Sequence, residues 1–465
     1  MLQTLNKSSF INNSQKNLSF GLFRHFSKNK TWIDRYSTEM NELFSTNQRV
    51  KYQLQVELAL LHALGEVGII PKEAYPELKR NVDEGKVKFE RVLEIEKETH
   101  HDIMAMVKSL AETSPKYGGY VHYSATSQDI NDSVLALQLT RARQILIDSS
   151  TSIRKALTNL AEENKAVPCI GRTHGQWAIP TTMGFKFANH LYEVSLAESN
   201  LRNTTVNVAK FGGAIGTFAG IGTKEVQRIA MNDLGLEPAP ISTQVLSRIH
   251  LSNFAYSTAS LISSVERIAK EIRNLQRSEI GEWSEGFGKK QVGSSTMSHK
   301  RNPHKSERIC ACARIVRAQI APLMENISLE HERDLTNSAT ERIALSTLCC
   351  VGNFALSQMG SILNGLIVFK DRVHENLMKP DGKQVAERIM LQLAHKIGRQ
   401  EAHELLRVIS AHKDFSNRVR NHPLINSILT KKEIENLLDP KEYLGLSTQI
   451  TEEIIDKFGV KKKYY

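Results

Sequence analysis

The feature that most constrains this chain is the length over which its apolar residues keep a helical period. Between 251 and 277, Phe254, Thr258, Leu261, Ile262, Val265, Ile268, Ala269, Ile272 and Leu275 recur every three or four residues, the spacing of one helix face. Similar runs occupy 131–164, 182–209, 305–328 and 339–368. A further run at 48–68 (Val50, Leu54, Leu61, Leu64) stops at Gly68 and Pro71, and another is expected over 86–112. Strand signals are scarce. Helices of about 25 to 30 residues exceed the globular mean of about 11–12, and helices that long hold together through packing rather than propensity. The expected fold class is all-α with three helical domains: an N-terminal one at 34–130, a central long-helix bundle at 131–370, and a C-terminal one at 371–465 with Pro380-Asp381-Gly382 as its hinge. A bundle so extended is expected to be shared between subunits.

Composition narrows the function classes. No apolar run approaches the roughly 18–20 residues that cross a bilayer, so no membrane partner is expected. The formal charge of +11 gathers at the ends, in Lys7, Lys16, Arg24, Lys28 and Lys30 and again in Lys461–Lys463. The mildly basic body suits small anionic substrates better than a nucleic-acid backbone, and no aromatic–basic interleaving offers a base-stacking surface. Residues 1–33 contain no acid and place Arg24 two residues before Phe26, the composition of a transit peptide. The expected location is mitochondrial if that segment is an address, and otherwise cytoplasmic. The five cysteines (Cys169, Cys310, Cys312, Cys349, Cys350) are odd in number and lack C-x-x-C spacing. They suit a reducing compartment better than a disulfide framework or a zinc site. Gly212, Gly213, Gly216, Gly220 and Gly222 have no expected strand before them and no Gly-Lys-Ser/Thr after them, so they read as a tight inter-helix crossing rather than a nucleotide fingerprint.

Three polar islands fall at the ends of the long helices. His122–Asp129 offers hydroxyls that would either hold a carboxylate or cap the helix that follows. Gly171–Gln176 sets His174 between small and polar residues in an expected loop, where its titration range suits proton transfer. Gly293–Glu307 packs Ser294, Ser295, Lys300, Asn302 and Glu307 ahead of a helix beginning near Ser306. That stretch reads either as an ordinary polar linker or as an anion site at a helix N-terminus.

Taken together, the islands resemble the signature regions of the fumarase/aspartase superfamily, and within it the adenylosuccinate lyase family. Gly293–Pro303 matches the superfamily pattern of Gly-Ser-Ser, Met-Pro, Lys and Asn-Pro except at Ser298, where the pattern has proline. Asp34-Arg35-Tyr36-Ser37, Ser242-Thr243-Gln244 with Arg248, Glu332-Arg333-Asp334 with Ser338 and Glu341-Arg342, and Leu438-Asp439-Pro440 with Tyr443-Leu444-Gly445 match the branch. The resemblance spans about residues 34–450. Ser124 departs from the family's usual glycine, and Ile249-His250-Leu251 from its charged run.

The resemblance implies a β-elimination that releases fumarate from succinyl-purine nucleotides, needing a base, an acid and donors for the developing enolate charge. It implies Ser295 as general base, aided by Lys300, and His174 as general acid, oriented by Glu307, with His101 near the substrate. The choice of Ser295 over Ser294 comes from the family pattern alone. Asn302, Thr126 and Ser127 would hold the succinyl carboxylates. Arg35, Tyr36, Arg333, Ser338 and Arg342 would hold the nucleotide phosphate. Asp102, Gln244, Arg248, Ser294 and Met297 complete the expected substrate-binding set. The family further implies a homotetramer with shared active sites and no metal or organic cofactor. Other superfamily activities, on a carboxymuconate or on argininosuccinate, fit less well because the arginine set suits a phosphorylated ligand. A non-catalytic relative fits less well because His174, Ser295, Lys300 and Glu307 are all present.

Overall fold

A computed structural model describes residues 32–286, 296–297 and 299–460. Ser294, Ser295 and Ser298 lie outside the described residues, as does nearly all of the basic N-terminal segment. Arg35 and Tyr36 belong to a short 3-10 helix, Trp32–Tyr36, in a unit separate from the compact body that begins at Thr38.

The body is mostly helical. Helix α1 (Thr46–Val67) starts where Ser45 Oγ accepts from Gln48 N at 3.2 Å, and it ends on Gly68 at φ 80°, the left-handed stop that glycine adopts without strain. The run expected over 86–112 is two helices, α2 (Phe89–Thr99) and α3 (Asp102–Ala111). His100 turns left-handed at φ 52°, and His101 caps α3 by accepting from Met104 N through Nδ1. Helix α4 (Ser127–Glu163) leads into an antiparallel hairpin, β1 (Pro168–Thr173) and β2 (Gln176–Thr182), and then into α5 (Met183–Arg202). After α6 (Glu225–Leu234) come α7 (Ile249–Leu275), α8 (His304–Ala318), α9 (Thr336–Asn364) and, last, α10 (Ser447–Phe458). The run read over 305–328 breaks at Gln319 into α8 and a short helix, Ile320–Glu325.

The long helices α4, α5, α7, α8 and α9 pack side by side, and α10 lies against α4 and α5. Every residue of the periodic face read over 251–277 is buried. Among the described helices α9 alone is long and apolar enough to cross a membrane, but 61% of its apolar window is buried inside the protein. Its apolar character therefore serves the bundle core.

A second core joins Leu60, Leu61 and Leu64 of α1 to Ile103, Met106 and Leu110 of α3. Phe211, Val226 and Met231 enter the same core from beyond α5, so a segment far along the chain folds back onto the N-terminal helices. A third core, from Val385 to Leu438, gathers Ile389, Leu393, Leu406 and Phe415.

The glycine cluster is not an inter-helix crossing. It forms a loop between the two-residue strand Val208–Ala209 and α6, so a strand, though a minimal one, does precede it. The reason for glycine is close approach of backbone. Gly216 has φ 81°, and a Cβ there would lie 2.1 Å from Ser242 O. Gly220 meets Ser124, whose Oγ donates to Gly220 O at 3.2 Å. Ser124 itself has φ 60°, a conformation that accounts for the glycine usual at this position in the family.

Candidate active site

The N-terminus of α4 carries Thr126 and Ser127, and a buried carboxylate fixes it. Asp129 accepts from Thr126 N at 2.9 Å, from Gly213 N at 3.2 Å and from Lys210 Nζ at 2.5 Å. Neither Asp129 nor Lys210 has any exposed side chain. Burial pushes the Asp129 carboxyl up against the pull of Lys210. Thus the glycine loop and the hydroxyl-bearing turn form one rigid corner.

His101 is brought to the same corner. Its Nδ1 accepts the Met104 amide, so Nε2 carries the proton of the neutral ring and faces Ser127 Oγ at 3.4 Å. The next residue, Asp102, accepts from Arg342 Nη2 at 2.8 Å and lies 3.4 Å from Arg49 Nη2. Burial alone would raise the Asp102 carboxyl, but the two guanidiniums outweigh it and hold it below the usual range.

Asp102, Arg342, Ser338 and Arg333 line one cavity of about 280 Å³ together with Arg49, Gln128 and Asn131. That is near the lower size of a ligand pocket. Arg333 Nη1 donates to Gln244 Oε1 at 3.0 Å. The Gln128 carboxamide, in the orientation that satisfies both groups, accepts from Arg333 Nη2 at 2.8 Å. Among the described residues no carboxylate is hydrogen-bonded to Arg333. Its Nε is buried without a partner, and burial pushes the guanidinium pKa down. A half-desolvated cation held only by neutral amides is a receptor for an anion.

Arg248 is different, and its place in the expected substrate-binding set is corrected here. Its Nη1 and Nη2 grip Asp132 at 3.0 and 2.9 Å, and Nε meets Glu341 at 2.9 Å. Nη2 also reaches Glu341, and Nη1 also donates to Leu246 O. All five donors of the guanidinium are engaged, and the side chain is only 3% exposed. It holds the wall of the cavity together and has nothing left to give a ligand.

His174 occupies the turn of the β1–β2 hairpin, not an irregular loop. Thr173 pairs with Gln176, and the two residues between them, His174 at φ 52° and Gly175 at φ 76°, are both left-handed. This is the twist-matched two-residue turn of a β-hairpin. The stem is anchored by Arg172 on the fully buried Glu282, which also takes a hydrogen bond from Asn376. The imidazole is exposed at the tip. The stem lines another cavity, of about 660 Å³, with Lys186, Arg267 and Tyr443. That cavity shares no lining residue with the one around Arg333 and Arg342.

Of the third island, Met297, Lys300, Asn302 and Glu307 are described. Lys300 N donates to Met297 O at 3.1 Å, and Met297, Lys300 and Glu307 are exposed. At the N-terminus of α8, which the sequence left open as a polar linker or an anion site, an internal carboxylate meets the first amides. Glu285, 1% exposed, accepts from Ser306 N and Ser306 Oγ, both at 2.6 Å, and weakly from Lys305 N. The chain's own carboxylate occupies the anion position of that helix.

The reading of the sequence missed Arg49, Gln128, Lys210 and Glu285. Arg49 had a signal: Thr46, Arg49 and Gln53 interrupt the apolar pattern of α1 at one-face spacing, and all three line the cavity. Lys210 and Glu285 had none, since their partners lie 81 and 21 residues away.

Comparison with known proteins follows the same outline. Residues 28–317 match the family described as Lyase. The fold is similar to a fumarate lyase from Mesorhizobium sp. BNC1, with a TM-score of 0.84 and 29% identity, covering 91% of this chain and 98% of that one. Fold and site thus define a lyase of the fumarase/aspartase type. Residues 382–454 match the family described as Adenylosuccinate lyase C-terminus. The chain is 40% identical over 430 residues to adenylosuccinate lyase of Pyrococcus horikoshii, covering 90% of this chain and 95% of that protein. It is 39% identical over 441 residues to that of Methanocaldococcus jannaschii, covering 92% and 96%. The chain belongs to the adenylosuccinate lyase family.

Proposed function

We propose that this protein, a carbon–nitrogen lyase, removes fumarate from adenylosuccinate to give AMP, and from the succinylaminoimidazole-carboxamide ribonucleotide to give AICAR, in purine nucleotide biosynthesis. The observation that carries the substrate class is Arg333, a partly buried guanidinium held by two carboxamides on one cavity with Arg342 and Ser338. Such a group suits a ligand phosphate. Arg35 and Tyr36 are assigned to phosphate binding from the family pattern alone.

In the elimination a base removes the proton on the carbon beside a succinyl carboxylate. That C–H pair becomes the new C=C bond, and the C–N pair leaves with nitrogen, which an acid protonates. Ser295 is assigned the first role and His174 the second. Lys300 would favour the serine's deprotonated form, and Glu307 would orient His174. Thr126, Ser127 and Asn302 would donate to the carboxylates, with His101 Nε2–H beside Ser127 as a further donor. Gln244, Asp102, Ser294 and Met297 complete the assigned contacts. A homotetramer with shared sites is part of this reading. Its support is that the His174 hairpin and the Arg342 wall line different cavities of one chain.

The test of the substrate class compares adenylosuccinate with its phosphate-free nucleoside. Arg333→Gln should cut the preference for the nucleotide by roughly 10- to 100-fold, the span of a charge-assisted hydrogen bond. An undiminished preference would remove Arg333 from the phosphate site.

A further inference from the structure

The cavity wall contains an ion pair that the phosphate site does not explain. Arg342, one of the groups assigned to phosphate, spends Nη2 on Asp102 at 2.8 Å. The same carboxylate oxygen, Oδ2, lies 3.4 Å from Nη2 of Arg49. The same Nη2 of Arg49 is fixed by a second partner, because it also donates to Asn131 Oδ1 at 2.8 Å. Asp102 Oδ1 is held by the Ile103 amide at 2.9 Å. Asp102 is therefore tied to α1 through Arg49 and to its own helix through Ile103. Arg342 comes from α9 and is 50% exposed against 24% for Arg49, so it is the more solvent-accessible partner of the carboxylate.

From this we infer that Arg49 is a positioning residue that lets Arg342 exchange Asp102 for a ligand phosphate. Asp102 and a ligand phosphate would compete for the same Arg342 nitrogen. When phosphate arrives, the carboxylate must lose that partner without following the arginine into the site, where two anions would repel. Arg49 supplies the countercharge that keeps Asp102 ionised and in place. Without it, Asp102 depends on Arg342 alone, and the pair competes harder with the ligand. The inference rests on the phosphate site proposed above and adds a residue that the family pattern did not point to.

The experiment uses the full-length protein and measures the inhibition constant of inorganic phosphate against adenylosuccinate cleavage in a double-mutant cycle. Arg49→Met should weaken phosphate inhibition about fivefold, the upper range for a partly exposed pair. Asp102→Asn should strengthen it, and by more in the Arg49→Met background than in the wild type. Arg49→Lys, which keeps the countercharge, should restore most of the loss. Equal gains from Asp102→Asn in both backgrounds would show two independent charges and overturn the inference. So would no gain in the Arg49→Met background, which marks a purely structural role. A wild type that cleaves adenylosuccinate without any inhibition by phosphate or AMP would instead count against the phosphate site itself.

Discussion

Arg248 meets two carboxylates, Arg333 meets two carboxamides, and these surroundings separate a cation that braces the wall from one proposed to bind an anion. The sequence marked both arginines, and Gln244 and Glu341 among their partners, but not the pairings, because Asp132 lies 116 residues from Arg248 and Gln244 lies 89 from Arg333. Ser124 shows the opposite case: its departure from glycine was visible in the sequence, and the left-handed backbone explains it. Beside it, His122 Nδ1 sits 2.6 Å from the fully buried Glu57. Burial alone would depress the imidazole pKa, but the Glu57 hydrogen bond and charge outweigh it and raise the pKa above its ordinary value. A raised folded-state pKa stabilises fully below about 6.5, the unfolded value, and the contribution drains as pH rises through the folded value. Unfolding free energy measured from pH 6 upward should therefore show the gap between wild type and His122→Gln closing as pH rises. A gap that stays constant would mean the imidazole is not charged in the folded protein.

At the scale of elements, periodicity was the strong signal and caps were the weak one. The α7 face was readable because nothing but a 3.6-residue repeat accounts for it. The split between α2 and α3 was not, since it turns on one left-handed histidine. The hairpin at 168–182 was hidden because its turn is His-Gly in place of the usual Asn-Gly or Asp-Gly. Gly175→Ala puts a Cβ at φ 76° and should cost about 1–2 kcal/mol. A melt combined with kcat should show the fold retained and kcat reduced, since the turn aims His174. Unchanged kcat would argue that the exact pitch of the hairpin is immaterial to catalysis. The N-terminus of α8 carries a similar lesson: a local reading left a linker and an anion site both open there, and the carboxylate that meets it, Glu285, directly follows the strand Trp283–Ser284.

For the whole molecule, family resemblance conveyed what periodicity could not, the reaction and the substrate class. What no single-chain reading supplies is how the proposed acid and the proposed phosphate site would meet. The hairpin that carries His174, the proposed acid, and the wall that carries Arg333 and Arg342 line different cavities of one chain. The proposed homotetramer gives that separation a purpose, for a neighbour's hairpin can reach where the chain's own does not. It also makes activity a property of the assembly, so subunits impaired at different residues should complement each other in mixed oligomers.

The most direct measurement is fumarate release from adenylosuccinate by the purified protein, by His174→Ala, by Ser295→Ala, and by the two variants dissociated and reassembled together. Turnover by the wild type is expected, with a loss of about 10²- to 10⁴-fold in each variant and partial recovery in the mixture. No release by the wild type would contradict the proposed activity, and a mixture as inactive as its parts would contradict the shared site.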